Sequence, residues 1–249
     1  MFNFSLDKRT ITIILIIMLG LWMISQGTEG LLNLLLTIPG VLIAITFHEF
    51  AHAWMAVKLG DNTPKAQGRL SLNPFDHIDP IGFAFLIVAG FGWGKPVEID
   101  SRNFNGKYSL SKAEAIVAAA GPIMNFILAF IFMIIYYALF GATNVFAGLT
   151  EQWQNVIKII IIYIVSINIG LGVFNLIPLP PLDGSKILMH FLPAKGKEWF
   201  YNKQTIFYIV FVLLFVTGLS SVVVEPIFSA VFSGMEWIVA KIFEMLSLI

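Results

Sequence analysis

Long uncharged apolar runs alternate with short polar connections along this chain. A transmembrane helix needs about 20 mostly apolar residues. Six runs approach or reach that length, namely residues 11–24, 30–57, 115–140, 156–177, 205–224 and 226 to near the C-terminus. The first is somewhat short, and the sixth, with Glu236, Lys241 and Glu244, could instead lie along the membrane interface. The pattern predicts an all-α polytopic membrane protein with about six transmembrane helices.

A shorter apolar run, residues 81–91, interrupts the polar stretch between the second and third predicted helices. It is too short to cross a bilayer, and it is bounded by Pro80 and by glycines at positions 90, 92 and 94. We expect a re-entrant or β-hairpin segment, which is tolerated at membrane depth where protein buries it. Such a segment could move about its glycines and pair with an extended peptide.

The composition supports the membrane class and restricts the chemistry. The chain is 58% hydrophobic and 12% charged, against about 45–50% apolar and about 25% charged in soluble domains. A net charge of zero argues against nucleic acid as a partner, since phosphate binding needs a basic face. Because the chain has no cysteine, any metal must be held by histidine and carboxylate. No small-residue cleavage site follows the first run, which we therefore interpret as a retained helix.

Basic residues predict the orientation in the membrane. They concentrate before the first predicted helix, between the second and third, and between the fourth and fifth. The opposite connections contain Glu29, Glu151 and Glu225, and Lys158 at the start of the fourth helix is a mild exception. By the positive-inside rule, we expect both termini in the cytoplasm of a cell whose plasma membrane the chain crosses several times.

The second predicted helix contains His48-Glu49-Phe50-Ala51-His52. Residues four apart share a helical face, so both imidazoles can bind one ion, with Glu49 placed to take a proton from a metal-bound water. The alternative is a polar cluster that only forms hydrogen bonds inside the bundle. Each ionisable group within a membrane costs about 2.5–3.5 kcal/mol on insertion. Three such groups in one helix therefore need a compensating interaction, and a bound metal ion would provide it.

A third metal ligand is needed, because catalytic zinc usually has three protein ligands and a water. Asp183 follows a proline-rich segment directly after the fourth predicted helix. That helix runs inward like the second, so Asp183 should reach the level of His48 and His52. A turn aspartate before Gly184 is the alternative. The sequence predicts one zinc per chain, bound by His48, His52 and Asp183.

These motifs resemble the site-2 proteases, the intramembrane zinc metalloproteases, in particular the small bacterial type. The matching segments are residues 48–52, 68–74, 77–80, 92–97, 120–125 and 175–184. The resemblance covers roughly residues 40–190 and implies three core helices around zinc, with hydrolysis of peptide bonds in or near transmembrane segments. We expect one membrane-embedded domain over 1–249, with a core at about 30–192, accessory helices at about 10–25 and 203–249, and no inserted PDZ or C-terminal CBS domain.

Four further polar residues are candidates for the site. Asn125 and Asn175 could stabilise an oxyanion or hold the substrate backbone, or could only form interhelical hydrogen bonds. His77 could approach the metal, although a structural hydrogen bond is the simpler interpretation. His190, near the end of a predicted helix, is expected to be an interfacial side chain.

Two other classes of protein stay open on the sequence alone. A divalent-metal transporter or channel would also place histidine and carboxylate in the membrane, but it often carries a repeat with broken helices, and the His48–His52 motif occurs once. The other is a non-catalytic membrane scaffold, although every expected ligand and the base are present. The protease interpretation implies a transmembrane protein or peptide in the lipid bilayer as the substrate.

Overall fold

The computed structural model describes residues 8–83, 94–142, 145–146 and 148–247. Helices account for most of these residues, and no β-strand is found among them. The helices are α1 (Lys8–Lys58), α2 (Thr63–Ala66), α3 (Leu110–Tyr137), α4 (Glu151–Asn175), α5 (Asp183–Phe191), α6 (Ala194–Asn202), α7 (Gln204–Val216) and α8 (Leu219–Met245). Short 3-10 turns lie at Pro74–Asp76 and Ser101–Asn103, and a π-helical turn, Ala138–Ala142, extends α3.

Four helical segments in the described part of the chain are long and apolar enough to cross a membrane. They are Gly27–Lys58, Leu110–Gly141, Glu151–Asn175 and Ser221–Met245. The first three contain or closely overlap the second, third and fourth helices that the hydropathy pattern predicted, so the all-helical membrane class is confirmed. A non-helical glycine, Gly27 with φ of 64°, interrupts α1 between the first two predicted segments. The side chains of residues 11–24 lie outside the described part.

The C-terminal segment, from residue 204 onward, differs from the expectation of two full helices divided near residue 225. The break falls at Thr217 and Gly218, whose φ of 72° is left-handed, so α7 has 13 residues and α8 has 27. A glycine in this conformation is a common way to end a helix. Pro226, which the prediction took as the boundary, lies inside α8. Proline is tolerated in transmembrane helices when neighbouring groups satisfy the freed carbonyl.

Most of the predicted hairpin, residues 84–93, lies outside the described residues and stays a prediction, whereas its described start, at residues 81–83, is helical. Its two described ends meet, because Ile78 and Gly94 form an isolated antiparallel bridge. The backbone N–H of Lys95 also donates to the carbonyl of His77 at 2.6 Å. The backbone at residues 94–95 therefore lies beside the backbone at residues 77–78.

The core of the bundle lies between α3, α4 and α8. Its buried members include Met133, Val165, Ile169 and Val239, and partly buried residues of α8 from Val224 to Met235 pack against them. The rings of Tyr137, at the end of α3, and Phe243, near the end of α8, are 5.8 Å apart. Since α8 packs on this cluster along most of its length with its C-terminal end beside that of α3, the two helices run parallel.

Candidate metal centre

The two histidines of the helical motif lie side by side in the C-terminal half of the Gly27–Lys58 segment. Both are buried, and their Nε2 atoms are 3.0 Å apart. The four-residue spacing produces this pairing, because residues i and i+4 occupy successive turns of one helical face.

Asp183 completes the set from another part of the chain. Its Oδ2 lies 3.2 Å from Nε2 of His48 and 3.2 Å from Nε2 of His52. The chain can place it there because α4 ends at Asn175 and a proline-rich loop leads into α5, whose first residue is Asp183. A side chain on Gly184 would collide with the carbonyls of Leu176 and Ile177, so glycine is what allows the loop to fold back beside this carboxylate.

The outer ring nitrogens of both histidines have protein partners. Nδ1 of His52 lies 2.8 Å from the carbonyl of Val117, and Nδ1 of His48 lies 2.6 Å from Oδ1 of Asn125. A backbone carbonyl only accepts hydrogen bonds, so His52 donates from Nδ1. This arrangement is the one that ligating histidines usually adopt, since a hydrogen bond at one nitrogen orients the ring and leaves the other nitrogen to the metal.

The donor set fits zinc. The three donor atoms form a triangle with edges of 3.0, 3.2 and 3.2 Å, and tetrahedral ligands at about 2.0–2.1 Å from zinc would be about 3.3 Å apart. The face of α3 opposite them carries Gly121, where a Cβ would lie 2.5 Å from Nε2 of His52. Among the described residues, this is the group of histidine and carboxylate side chains that could hold a metal ion.

Glu49 lies on the same cleft as the three metal-binding candidates. The cleft has a volume of about 430 Å³. It is lined on one side by Pro96, Val97 and Ile99, and on others by residues of α3, α5, α6 and α7. The backbone N–H of Val97 donates to Oε2 of Glu49 at 3.2 Å. The carboxylate therefore contacts the segment 95–100, which has no regular secondary structure and forms one wall of the cleft.

A buried aspartate just beyond α1 holds that wall in place. Asp61 accepts hydrogen bonds from the N–H and hydroxyl of Thr63, from the backbone of Asp100 and from the side chain of Asn103. Burial alone would raise the pKa of the Asp61 carboxyl, but these hydrogen bonds outweigh it and hold the pKa below its ordinary value. The cluster thus ties the end of α1 to the turn at Ser101–Asn103.

The other predicted residues have distinct positions. Asn175 lines the cleft, and its amide donates to the carbonyl of Leu171 at 3.1 Å. Asn125 is fully buried and contacts His48. His77 is fully buried, with Nε2 2.7 Å from the carbonyl of Ser71, and is not a member of the metal-binding group. His190 lies in α5 with its ring edge-on to Phe191.

One polar residue of this region has no place in the predicted site. Asn168, in the middle of α4, is fully buried, and its Oδ1 accepts a hydrogen bond from Asn125 at 2.9 Å. The available signal was an amide inside the apolar run 156–177, since polar residues within a membrane span usually have a specific partner. No spacing rule, however, connects it to the histidine motif.

Comparison with known proteins identifies the family. The family model of Peptidase family M50 matches residues 36–218, so the chain belongs to that family. It is 39% identical over 194 residues to "Putative zinc metalloprotease YwhC" of Bacillus subtilis, which covers 76% of this chain and 84% of that protein. It is 31% identical over 192 residues to "Putative zinc metalloprotease Rip2" of Mycolicibacterium smegmatis, covering 75% and 69%. No solved structure matches significantly.

The family membership confirms the resemblance to the site-2 proteases. The chain is an intramembrane zinc metalloprotease, and zinc is its metal. The transporter and scaffold alternatives are thereby set aside.

Proposed function

We propose that this protease cleaves peptide bonds in or near transmembrane segments of bacterial membrane proteins, with zinc held by His48, His52 and Asp183 and with Glu49 as general base. The near-equilateral triangle of donor atoms carries the proposal, because two of its corners lie on a membrane-spanning helix that also carries Glu49. When bound there, zinc would polarise the scissile carbonyl and lower the pKa of water. These are the two requirements for peptide hydrolysis at neutral pH.

The proposed role of Glu49 is to accept a proton from the attacking water and pass it to the departing amine. Its carboxylate shares the cleft with the metal-binding residues, and general bases act at hydrogen-bond distance from the proton they remove. The N–H of Val97 fixes one carboxylate oxygen, which leaves the other for this task. Proton transfer of this kind contributes about 10²–10⁴-fold to rate.

The substrate would lie along the segment 95–100, before the Ser101–Asn103 turn. Pro96, Val97 and Ile99 line the cleft there, and an extended peptide could pair with the backbone of this segment through its own hydrogen bonds. A helical substrate must unwind locally to do so. Asn175 also lines the cleft, and its proposed role is to hold the substrate backbone or the oxyanion.

For Asn125 we propose a role different from the oxyanion donor that the sequence suggested. Both of its amide hydrogens have protein acceptors, the carbonyl of Ala44 at 3.0 Å and Oδ1 of Asn168 at 2.9 Å. Its oxygen faces Nδ1 of His48. The amide therefore orients a metal-binding imidazole, and no hydrogen of it is left for substrate.

The metal centre lies toward the end of α1, and we propose that this end faces the cytoplasm, as the positive-inside rule expects. The parallel course of α3 and α8 then carries the C-terminal end of α8 to the opposite side. That arrangement replaces the sequence-based expectation of a cytoplasmic C-terminus. It rests on the packing of Phe243 beside Tyr137 and on the position of α8 along the core.

The direct test of function compares membrane-protein fragments from cells that express the native chain or Glu49→Gln. The amide has nearly the size of the carboxylate but cannot accept the proton. We expect a set of cleaved transmembrane proteins with the native chain and none with Glu49→Gln at equal zinc content. Glu151→Gln, at the far end of α4, is the matched control and should cleave normally. Unchanged cleavage by Glu49→Gln would remove this residue from the mechanism.

A further inference from the structure

Asn168 is a polar residue buried between three membrane-spanning helices, and the sequence motifs leave it without a role. It lies on α4, fully buried, seven residues before Asn175. It is not among the described residues that line the cleft, and its side chain bonds instead to Asn125 on α3. A buried amide without a structural or functional reason would cost stability in this setting, so its hydrogen bonds indicate what it does.

A series of hydrogen bonds leads from Asn168 through Asn125 to His48. The bond at the Asn168 end determines which atom donates in each of the others. Nδ2 of Asn168 lies 2.8 Å from the backbone carbonyl of Ile164, which can only accept. Oδ1 of Asn168 therefore faces away from Ile164 and accepts from Nδ2 of Asn125 at 2.9 Å. The amide orientation of Asn168 follows from its own helix.

The orientation of the Asn125 side-chain amide is determined in the same way. Its Nδ2 has two hydrogens and two acceptors, the carbonyl of Ala44 and the oxygen of Asn168. Turning the amide over would direct its oxygen at two acceptors at once and leave two buried oxygens without a donor, which is unfavourable. Oδ1 of Asn125 must then face His48.

The last step reaches the metal-binding imidazole. Because Oδ1 of Asn125 only accepts, the hydrogen of the 2.6 Å contact must be on Nδ1 of His48. Nε2 is then the nitrogen with the free electron pair, and it is the atom that faces Asp183 and His52. Hydrogen bonds of this type raise ligand basicity and select the tautomer that binds metal.

We propose that Asn168 is a positioning residue for the zinc site, acting through Asn125 to hold His48 in the tautomer that presents Nε2. This inference rests on the proposed ligand role of His48. It also explains why the chain keeps two amides inside apolar helices: the relay joins α1, α3 and α4 at the depth of the metal centre. Every side-chain nitrogen and oxygen atom of the two amides has at least one partner in the described structure.

The test measures zinc affinity of the purified full-length chain by competition with a chelator. Asn125→Leu removes the direct partner of His48 and should weaken affinity about 10–100-fold, the usual loss for such partners. Asn168→Leu should weaken it about 10-fold while the helix content stays unchanged. Val165→Ala, a buried residue of the same helix in the apolar core, removes packing but no hydrogen bond and should retain native affinity.

The double variant separates a relay from two independent effects. If Asn168 acts through Asn125, then Asn125→Leu with Asn168→Leu should bind zinc no more weakly than Asn125→Leu alone. Native affinity in Asn168→Leu, or losses that multiply fully in the double variant, would overturn the inference. Asn168→Ala repeats the comparison if the leucine variant does not fold. A native chain that binds no zinc would instead refute the proposed function, so the two failures are distinct.

Discussion

Gly121 lies so close to His52 that a Cβ atom at this position would be 2.5 Å from Nε2 of the imidazole and 2.7 Å from Nε2 of His48. These are the nitrogens to which we assign the metal. The glycine keeps the face of α3 flat where the two rings approach it. Its neighbour Pro122 is fully buried, so the helix cannot easily shift to admit a larger residue.

We therefore predict that Gly121→Ala loses most of its zinc, because the methyl group occupies the space that the imidazole nitrogens and the ion need. The measurement is zinc per chain in the purified protein by elemental analysis. Gly170→Ala is the matched control, since that glycine has open space where its Cβ would be. Equal zinc content in Gly121→Ala and the native chain would mean that the ion is bound elsewhere.

The second prediction concerns the side of the membrane on which the chain ends. Since the chain has no cysteine, single cysteines at Lys107, Gly148 and Leu246 can be labelled selectively with an impermeant reagent. We expect label at Gly148→Cys and Leu246→Cys from one side and at Lys107→Cys from the other, because α8 runs parallel to α3. Labelling of Lys107→Cys and Leu246→Cys from the same side would contradict this arrangement.

The third prediction is a pH dependence of stability at Asp61. Its folded pKa lies below the usual value, so its stabilising contribution is fully present above about pH 4, the unfolded pKa, and is lost as pH falls through the folded pKa. Asp61→Asn places an amide N–H against the N–H of Asp100 and should lower unfolding free energy by about 1–3 kcal/mol at pH 7.

Thermal unfolding in detergent from pH 7 to pH 3 checks this behaviour. The difference between the native chain and Asp61→Asn should shrink on the acidic side of about pH 4. Asp76→Asn, on the Pro74–Asp76 turn, is the control and should resemble the native chain. A difference that stays constant over the whole range would show that Asp61 is not stabilising as an ionised carboxylate.

Sequence reasoning located the elements whose signal is local. The four-residue spacing of His48 and His52 placed both rings on one helical face, and the inward direction of the fourth predicted helix brought Asp183 to the same depth. In the structure the donor atoms of these three residues are 3.0–3.2 Å apart. The roles assigned to them stay predictions until metal binding is measured.

What the sequence did not reveal depends on contacts between distant segments. Asn125 was recognised as unusual, but its contact with His48 spans 77 positions, and the contribution of Asn168 has no motif. The boundary between α7 and α8 was misplaced because Pro226 was weighted as a helix breaker, whereas the left-handed Gly218 ends the helix. In a bundle packed by neighbours, proline is a weaker signal than in an isolated helix.

The central claim is that His48, His52 and Asp183 bind one catalytic zinc inside the membrane. Zinc per chain in the native protein, in His48→Ala and in Asp183→Ala tests it most directly, with Asp79→Ala as a carboxylate control outside the metal-binding group. We predict about one zinc per native chain and per control chain, since three protein ligands leave one position for water, and little or none in the two ligand variants. Undiminished zinc in either ligand variant would contradict the account.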